Sequence, residues 1–392
     1  MGPFLSAHAA HSDWRVAVAD CQRQLRPHLA AHAALGRGAT PFTLGWCYLT
    51  DHYALAAEAI LTELQRDLPD VAWVGTVGVG VAAGQCEYVD EGALVLMLAP
   101  LPRTSFRIFS GRQPLPAQTS GFVAHTALVH AEGSTPDLQD LLLELSGRTA
   151  TGYLFGGLAA ARTRTLHLAE GVLSGGLSGV LFSSAVGLIS RVTQGCQPIG
   201  PVRTITAAED NCVLSLDGRP ALDCIVADLG LERGLPLALL ARGLADTLVG
   251  LSRGMDDQPQ RPGQFGADTL VRHLVGVDPG QGVLAIADTV EVGMRLAFCR
   301  RDPESALADL VRVATEVRAE LEGGAAGRAL GALYVSCSGR GGGYFGGRHA
   351  ELRTLAAALG AMPLVGFFAG GEIARDRLYG YTGVLTVFTD PG

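Results

Sequence analysis

Two sets of residues in this sequence have the types and spacing for ligand chemistry. The first is the segment 336–347, SCSGRGGGYFGG, which follows an apolar strand pattern and precedes a helical one. Successive backbone amides and a helix N-terminus in such a loop can hold an anionic group such as a carboxylate. Arg340 would add a fixed, bidentate positive charge beside Cys337 and Gly339. Glu372 follows a second glycine bend, containing Gly371, where it could meet the ammonium of an amino acid or pair with Arg340. Phe345 and Phe368 would line the apolar part of such a site. The second set, Gly156 and Gly157, follows the same logic at another strand end. The alternative is structural: the glycines only turn the chain, and Arg340–Glu372 is a buried ion pair.

Other chemistries find less support. All 30 basic residues are arginine, so no amine is available for a Schiff base, a pyridoxal-phosphate enzyme or a P-loop. Gly78-Val79-Gly80 resembles a dinucleotide loop in outline, but residues 85–98 read as turn and strand rather than as the required helix. Cys337 with His349 could form a thiol–imidazole pair, but no third residue orients it, and an inert buried cysteine is the simpler reading. The eight cysteines, at 21, 47, 86, 196, 212, 224, 299 and 337, include no CxxC, which argues against a zinc cage or covalent haem. No metal site is expected. Non-covalent haem stays open, with His52, His125, His167, His273 or His349 as candidate axial ligands.

The elements that must position these residues repeat. A strand, a helix, a second strand, a glycine bend and an alternating third strand occur three times, at 43–98, 122–182 and 332–388. The predicted helices are 53–67, one opened by Thr135-Pro136 as N-cap and first turn, and 349–359. Leu138, Leu141, Leu142 and Leu145, and Leu352, Leu355, Ala356 and Leu359, fall at i, i+3, i+4, i+7 and give each of the latter two an apolar stripe. Asp302-Pro303 opens a longer helix to about 321, with Leu307, Leu310, Val311 and Ala314 inward. A hairpin turns at Asp217-Gly218, and 282–288 followed by 292–299 reads as another. The polar stretch 253–266 reads as a surface loop. Such elements form an α+β fold of mixed and antiparallel sheets covered by helices.

With 392 residues, two domains are expected. Apolar residues make up 48% and charged residues 17%, which suggests extensive burial and makes a homo-oligomer plausible. A net charge of -8 argues against a nucleic-acid partner. No apolar run approaches the ~20 residues that span a bilayer, and residues 1–14 do not read as a signal peptide, so a cytoplasmic protein without membrane insertion is expected.

Several segments resemble the FIST family in the right order over nearly the whole chain. They are Gly156-Gly157-Leu158, the strand 176–182, 195–201, 217–221, Val271-Arg272-His273, 276–279, Arg301-Asp302, 336–341 and 366–373. Ser338 stands where the family commonly has asparagine, and 374–377 replaces a longer loop, so the ligand is expected to differ from that of commoner members. The resemblance implies a helical lead-in at 1–34, a FIST N domain at 35–230 and a FIST C domain at 231–392. It also implies a bacterial sensory protein for an amino acid or similar anionic metabolite, with a signalling partner such as a histidine kinase. The rival it leaves open is a haem-based nitric oxide sensor; a hydrolase or lyase using Cys337 or Glu372 is more distant.

Overall fold

The computed structural model describes residues 2–111, 121–232, 234–253, 265, 269–324 and 327–390. The fold is α+β, and it divides into two compact units. The first comprises Met1–Thr193 with Leu310–Gly392, and the second, Gln194–Asp309, is inserted between them. All three repeats lie in the first unit, so this division falls elsewhere than the expected one near Gly230.

Each repeat builds one six-stranded sheet in the same order. The first sheet runs Leu5–Ala10, Ala93–Ala99, Leu44–Thr50, Ala72–Gly78, His167–Ala169, Val172–Leu173. In the second the order is Phe106–Ser110, Leu177–Phe182, Thr126–Glu132, Tyr153–Ala159, Glu372–Arg375, Arg377–Tyr379. The third has Gly187–Val192, Gly383–Asp390, Arg328–Cys337, Leu364–Ala369, Gly80–Ala83, Cys86–Val89. The two middle strands of each sheet are parallel, because a helix carries the chain between them. The last two strands of each order are a hairpin lent by another repeat: the first lends to the third, the third to the second, and the second to the first. The three sheets thus form a closed cycle of exchanged edges, which covers strand ends that would otherwise invite foreign pairing.

Helices Ala57–Asp67, Leu138–Gly147 and Ala350–Leu359 each follow the first strand of a repeat. Leu138, Leu142 and Leu145 are buried as the stripe requires, whereas Leu141 is exposed. Thr135 does not cap its helix: its hydroxyl accepts from the Gly176 amide, and Asp137, in the left-handed region, is the N-cap. Asp302 does cap, accepting from Ser305 N at 2.6 Å. The helix it opens, Pro303–Glu322, buries Ala306, Leu310, Val313, Ala314 and Val317, so Val311 faces outward instead. Residues 1–34 contain a strand, Leu5–Ala10, ahead of helix Trp14–Ala33.

The second unit carries an antiparallel sheet and helices Ala221–Asp228 and Leu237–Leu244 around a core that includes Val213, Ile225, Leu284 and Phe298. Asp217 and Gly218 both adopt positive φ, as a two-residue hairpin turn demands. Strand Val283–Ile286 pairs with Leu270–Asp278 rather than with Arg295–Arg301, so the second expected hairpin does not form. Most of the polar stretch 253–266 lies outside the described residues.

Candidate functional site

The glycine loop 338–349 follows strand Arg328–Cys337 and ends at helix Ala350–Leu359, as its sequence suggests. Arg340 is 1% exposed and does not pair with Glu372. Its Nη2 lies 2.7 Å from Glu351 Oε1, and its Nε donates to the same oxygen at 2.8 Å. Nη1 donates to Thr193 Oγ1 at 3.0 Å. Glu351, itself 1% exposed, also accepts from Tyr334 Oη at 2.7 Å and from Ser336 Oγ at 3.0 Å. Burial works against the guanidinium charge, but Glu351 together with Tyr334 and Glu372 more than offsets it. The arginine is therefore enclosed beneath the helix, with Phe345 over its guanidinium at 5.1 Å. It is a buried structural ion pair, with a partner that sequence reading missed because a glutamate in the first turn of an amphipathic helix normally faces water.

The N-terminus of that helix is also occupied. Glu87, from the hairpin lent by the first repeat, accepts from Leu352 N at 3.2 Å, and its own amide donates to His349 Nδ1 at 2.8 Å. A protein carboxylate stands where the loop was expected to hold a ligand anion. Burial pushes the Glu87 carboxyl up to about 7, against the bond from Leu352. His349 thereby faces Glu87 and forms no thiol–imidazole pair with Cys337, whose thiol burial and the neighbouring Glu372 push up to about 12. That sulfur is a thiol and not a nucleophilic thiolate at neutral pH.

Glu372 is fully buried, and its Oε2 accepts from Thr382 Oγ1 at 2.8 Å and Thr382 N at 3.1 Å. Burial raises the carboxyl to about 8, so it is mostly protonated at neutral pH and offers no full charge to an ammonium. Strand pairing sets Glu372 beside Gly157 and Ile373 beside Gly156. The expected residues Gly156, Gly157, Gly371, Glu372 and Cys337 are thus brought together, but as packing. A side chain at Gly157 would meet Ala369 Cβ and Val335 Cγ1 at 2.8 Å. Phe368 is buried against Gly80 and Gly341. Gly339 lies in the turn that carries Arg340 inward.

An open cleft of about 740 Å³ lies between the second and third sheets. Phe155 and Val186, both buried, contribute its apolar lining. One wall carries a chain of hydroxyls: Tyr153 Oη donates to Ser190 Oγ at 3.0 Å, and Ser190 Oγ lies 2.8 Å from Thr386 Oγ1. Ser190 and Thr386 are directly paired across strands, so the sheet register itself sets this contact. Beside it Arg191 Nη2 lies 2.7 Å from Glu320 Oε2, and these side chains are 38% and 39% exposed. Unlike Arg340–Glu351, this pair is open to solvent and can exchange partners. His125 is the one of the five candidate histidines that lines this cleft. His167 is buried against Ser178, and His52 lies 3.4 Å from Asp51. Sequence reading left 183–192 without a role; the alternation of Leu188, Ser190 and Val192 with Ile189 and Arg191 was its only signal.

Among the described residues no helix is long and apolar enough to cross a membrane, and no three metal-binding side chains cluster. The FIST N domain family model matches residues 43–219, and the FIST C domain model matches 221–375. An uncharacterised protein of Mycobacterium tuberculosis (strain ATCC 25618 / H37Rv) is 32% identical over 396 residues, covering 96% of this chain and 98% of its own length. Another, of Mycobacterium bovis (strain ATCC BAA-935 / AF2122/97), is 32% identical over 395 residues, covering 96% of each. FIST domains are small-ligand sensory domains of signalling proteins. By the order of its repeats and by both domain matches, this chain belongs to the FIST family.

Proposed function

We propose that the protein is a cytoplasmic sensor of an amino acid or similar anionic metabolite, and that the ligand enters the cleft beside Tyr153, Ser190, Arg191 and Glu320. The observation that carries this is the contrast between two arginine–glutamate pairs. Arg340–Glu351 is closed and fully bonded, whereas Arg191–Glu320 stands half-exposed on the wall of an open cleft. A guanidinium can take a carboxylate bidentately, and a carboxylate an ammonium, so a zwitterion can replace the pair at little cost in lost contacts. Occupancy is then transmitted by differential affinity for two conformations to a signalling partner such as a histidine kinase. The reading assigns no reaction.

A thermal-shift screen of amino acids and small carboxylic acids tests it. A ligand that raises the melting temperature of the wild type should lose its effect in Arg191→Ala, and a ligand with an amine should also lose it in Glu320→Gln. A shift retained in both variants would place the ligand elsewhere. The haem alternative would use His125, but polar lining suits a porphyrin poorly; a stoichiometric Soret band abolished by His125→Ala would replace the metabolite reading with it.

A further inference from the structure

Hairpin exchange covers one edge of each sheet in the first unit and leaves a strand at the other: Leu5–Ala10, Phe106–Ser110 and Gly187–Val192. An edge strand turns the amide and carbonyl of every second residue away from its neighbour, where another strand can pair with them. In the first sheet a side chain closes that edge: Gln24 Nε2 donates to His8 O at 2.7 Å, and Gln24 Oε1 accepts from His8 N at 3.2 Å. In the second and third an arginine folds back onto the preceding carbonyl. Arg107 Nη1 donates to Phe106 O at 2.8 Å, and Arg191 Nη1 donates to Ser190 O at 3.0 Å.

The third edge lines the open cleft. Thr193 N donates to Gly383 O at 2.8 Å, so by register the ladder bonds to strand Gly383–Asp390 fall at Gly187, Ile189 and Arg191. The backbone groups of Leu188 and Ser190 therefore point outward. Cys337 N donating to Thr382 O, on the other side of the same strand, gives the same alternation. Among the described residues, Ser190 N and both backbone groups of Leu188 have no partner. Leu188 and Ser190 lie on one face of the sheet and Ile189 and Arg191 on the other, yet all four line the cleft. A cleft that touches both faces of one strand runs along its edge.

We infer that the cleft takes a short peptide in extended conformation, added to Gly187–Val192 as a further strand, with its terminal carboxylate on Arg191. The inference rests on the anionic-ligand reading of this cleft for its charged end, and it lengthens the ligand from one amino acid to a chain. A carboxylate that draws Arg191 away frees Ser190 O, so a single event makes the charge contact and bares an acceptor for a peptide amide. Ser190 N and the two backbone groups of Leu188 continue the ladder at the spacing of alternate residues. A volume of about 740 Å³ suits a drug-sized ligand, several residues rather than one.

A library of pentapeptides with free termini, screened by thermal shift and followed by titration calorimetry, supplies the probe. N-methylating the backbone amides of the best binder one at a time should weaken it about tenfold at alternate positions and little between them, since each change keeps side chains and charges and removes one hydrogen bond. Amidating its terminal carboxylate should weaken it as well, and the bound peptide should slow hydrogen exchange at Leu188 N and Ser190 N. Leu188→Pro removes an outward N–H and no ladder bond, so it should fold and bind the peptide about tenfold more weakly. If that variant does not fold, the N-methylated peptides and exchange in the wild type decide. An affinity indifferent to N-methylation at every position would overturn the edge pairing. A free amino acid that acts through Arg191, with no peptide binding, would end the peptide inference and leave the metabolite reading standing. A peptide that protects Leu188 N and Ser190 N yet binds Arg191→Ala equally well would do the reverse: the edge pairing stands and the charged contact falls.

Discussion

Arg340 and Arg191 sit beside glutamates at the same 2.7 Å separation, yet the first pair is buried and the second half-exposed. Removing Arg340 strands a buried Glu351, so Arg340→Ala should cost about 3–5 kcal/mol of unfolding free energy. Urea denaturation measures it, and a loss below 1 kcal/mol would contradict the structural assignment. Glu372 gives a prediction in pH. Its folded carboxyl titrates at about 8, above the usual carboxylate range, so between about pH 4.5 and 8 the folded state binds more protons than the unfolded. Stability from this group is therefore present at low pH and lost as pH rises through 8. Glu372→Gln should flatten that decline, and an unaltered difference in urea midpoint between pH 6 and pH 8.5 would refute it. Glu87, raised to about 7, contributes with the same sign and remains in the variant.

Within the elements, three glycines recur at one structural position. Gly75, Gly156 and Gly366 are each paired across parallel strands, with Cys47, Val129 and Tyr334 respectively. A Cβ on any of them would lie inside van der Waals contact of the partner's carbonyl oxygen. The glycine bends that looked like ligand loops are in part this packing requirement. Gly366→Ala should lower the melting temperature by several degrees or prevent folding, whereas Gly343→Ala, with nothing near its Cβ, should change it little. Differential scanning calorimetry of the two variants checks the contrast; equal effects would count against it. The helices were more legible: their apolar periodicity predicted Leu352, Leu355 and Leu359 as buried, but not Glu351 one residue earlier. A period reports which face a residue lies on and says nothing of a distant arginine waiting there.

For the whole first unit, hairpin exchange links the three repeats in a cycle, so opening any one repeat also strips the edge hairpin from a second sheet. Native-state hydrogen exchange should give Ala72–Gly78, Tyr153–Ala159 and Leu364–Ala369 a common opening free energy, lowered together by a core substitution such as Phe367→Ala. Separate opening energies would contradict this cooperativity. The sequence by itself determined the threefold repeat, the helix stripes, the Asp217-Gly218 turn and the family, because each is encoded within a few neighbouring residues or in the order of short motifs. Only the tertiary structure decided that Arg340 meets Glu351, that Glu87 caps a helix 265 residues away at Leu352, and that 194–309 is an insertion. The Glu87 contact depends on which repeat lends its edge to which. That choice is made by burial and pairing across the whole chain, where local patterns are alike in all three copies.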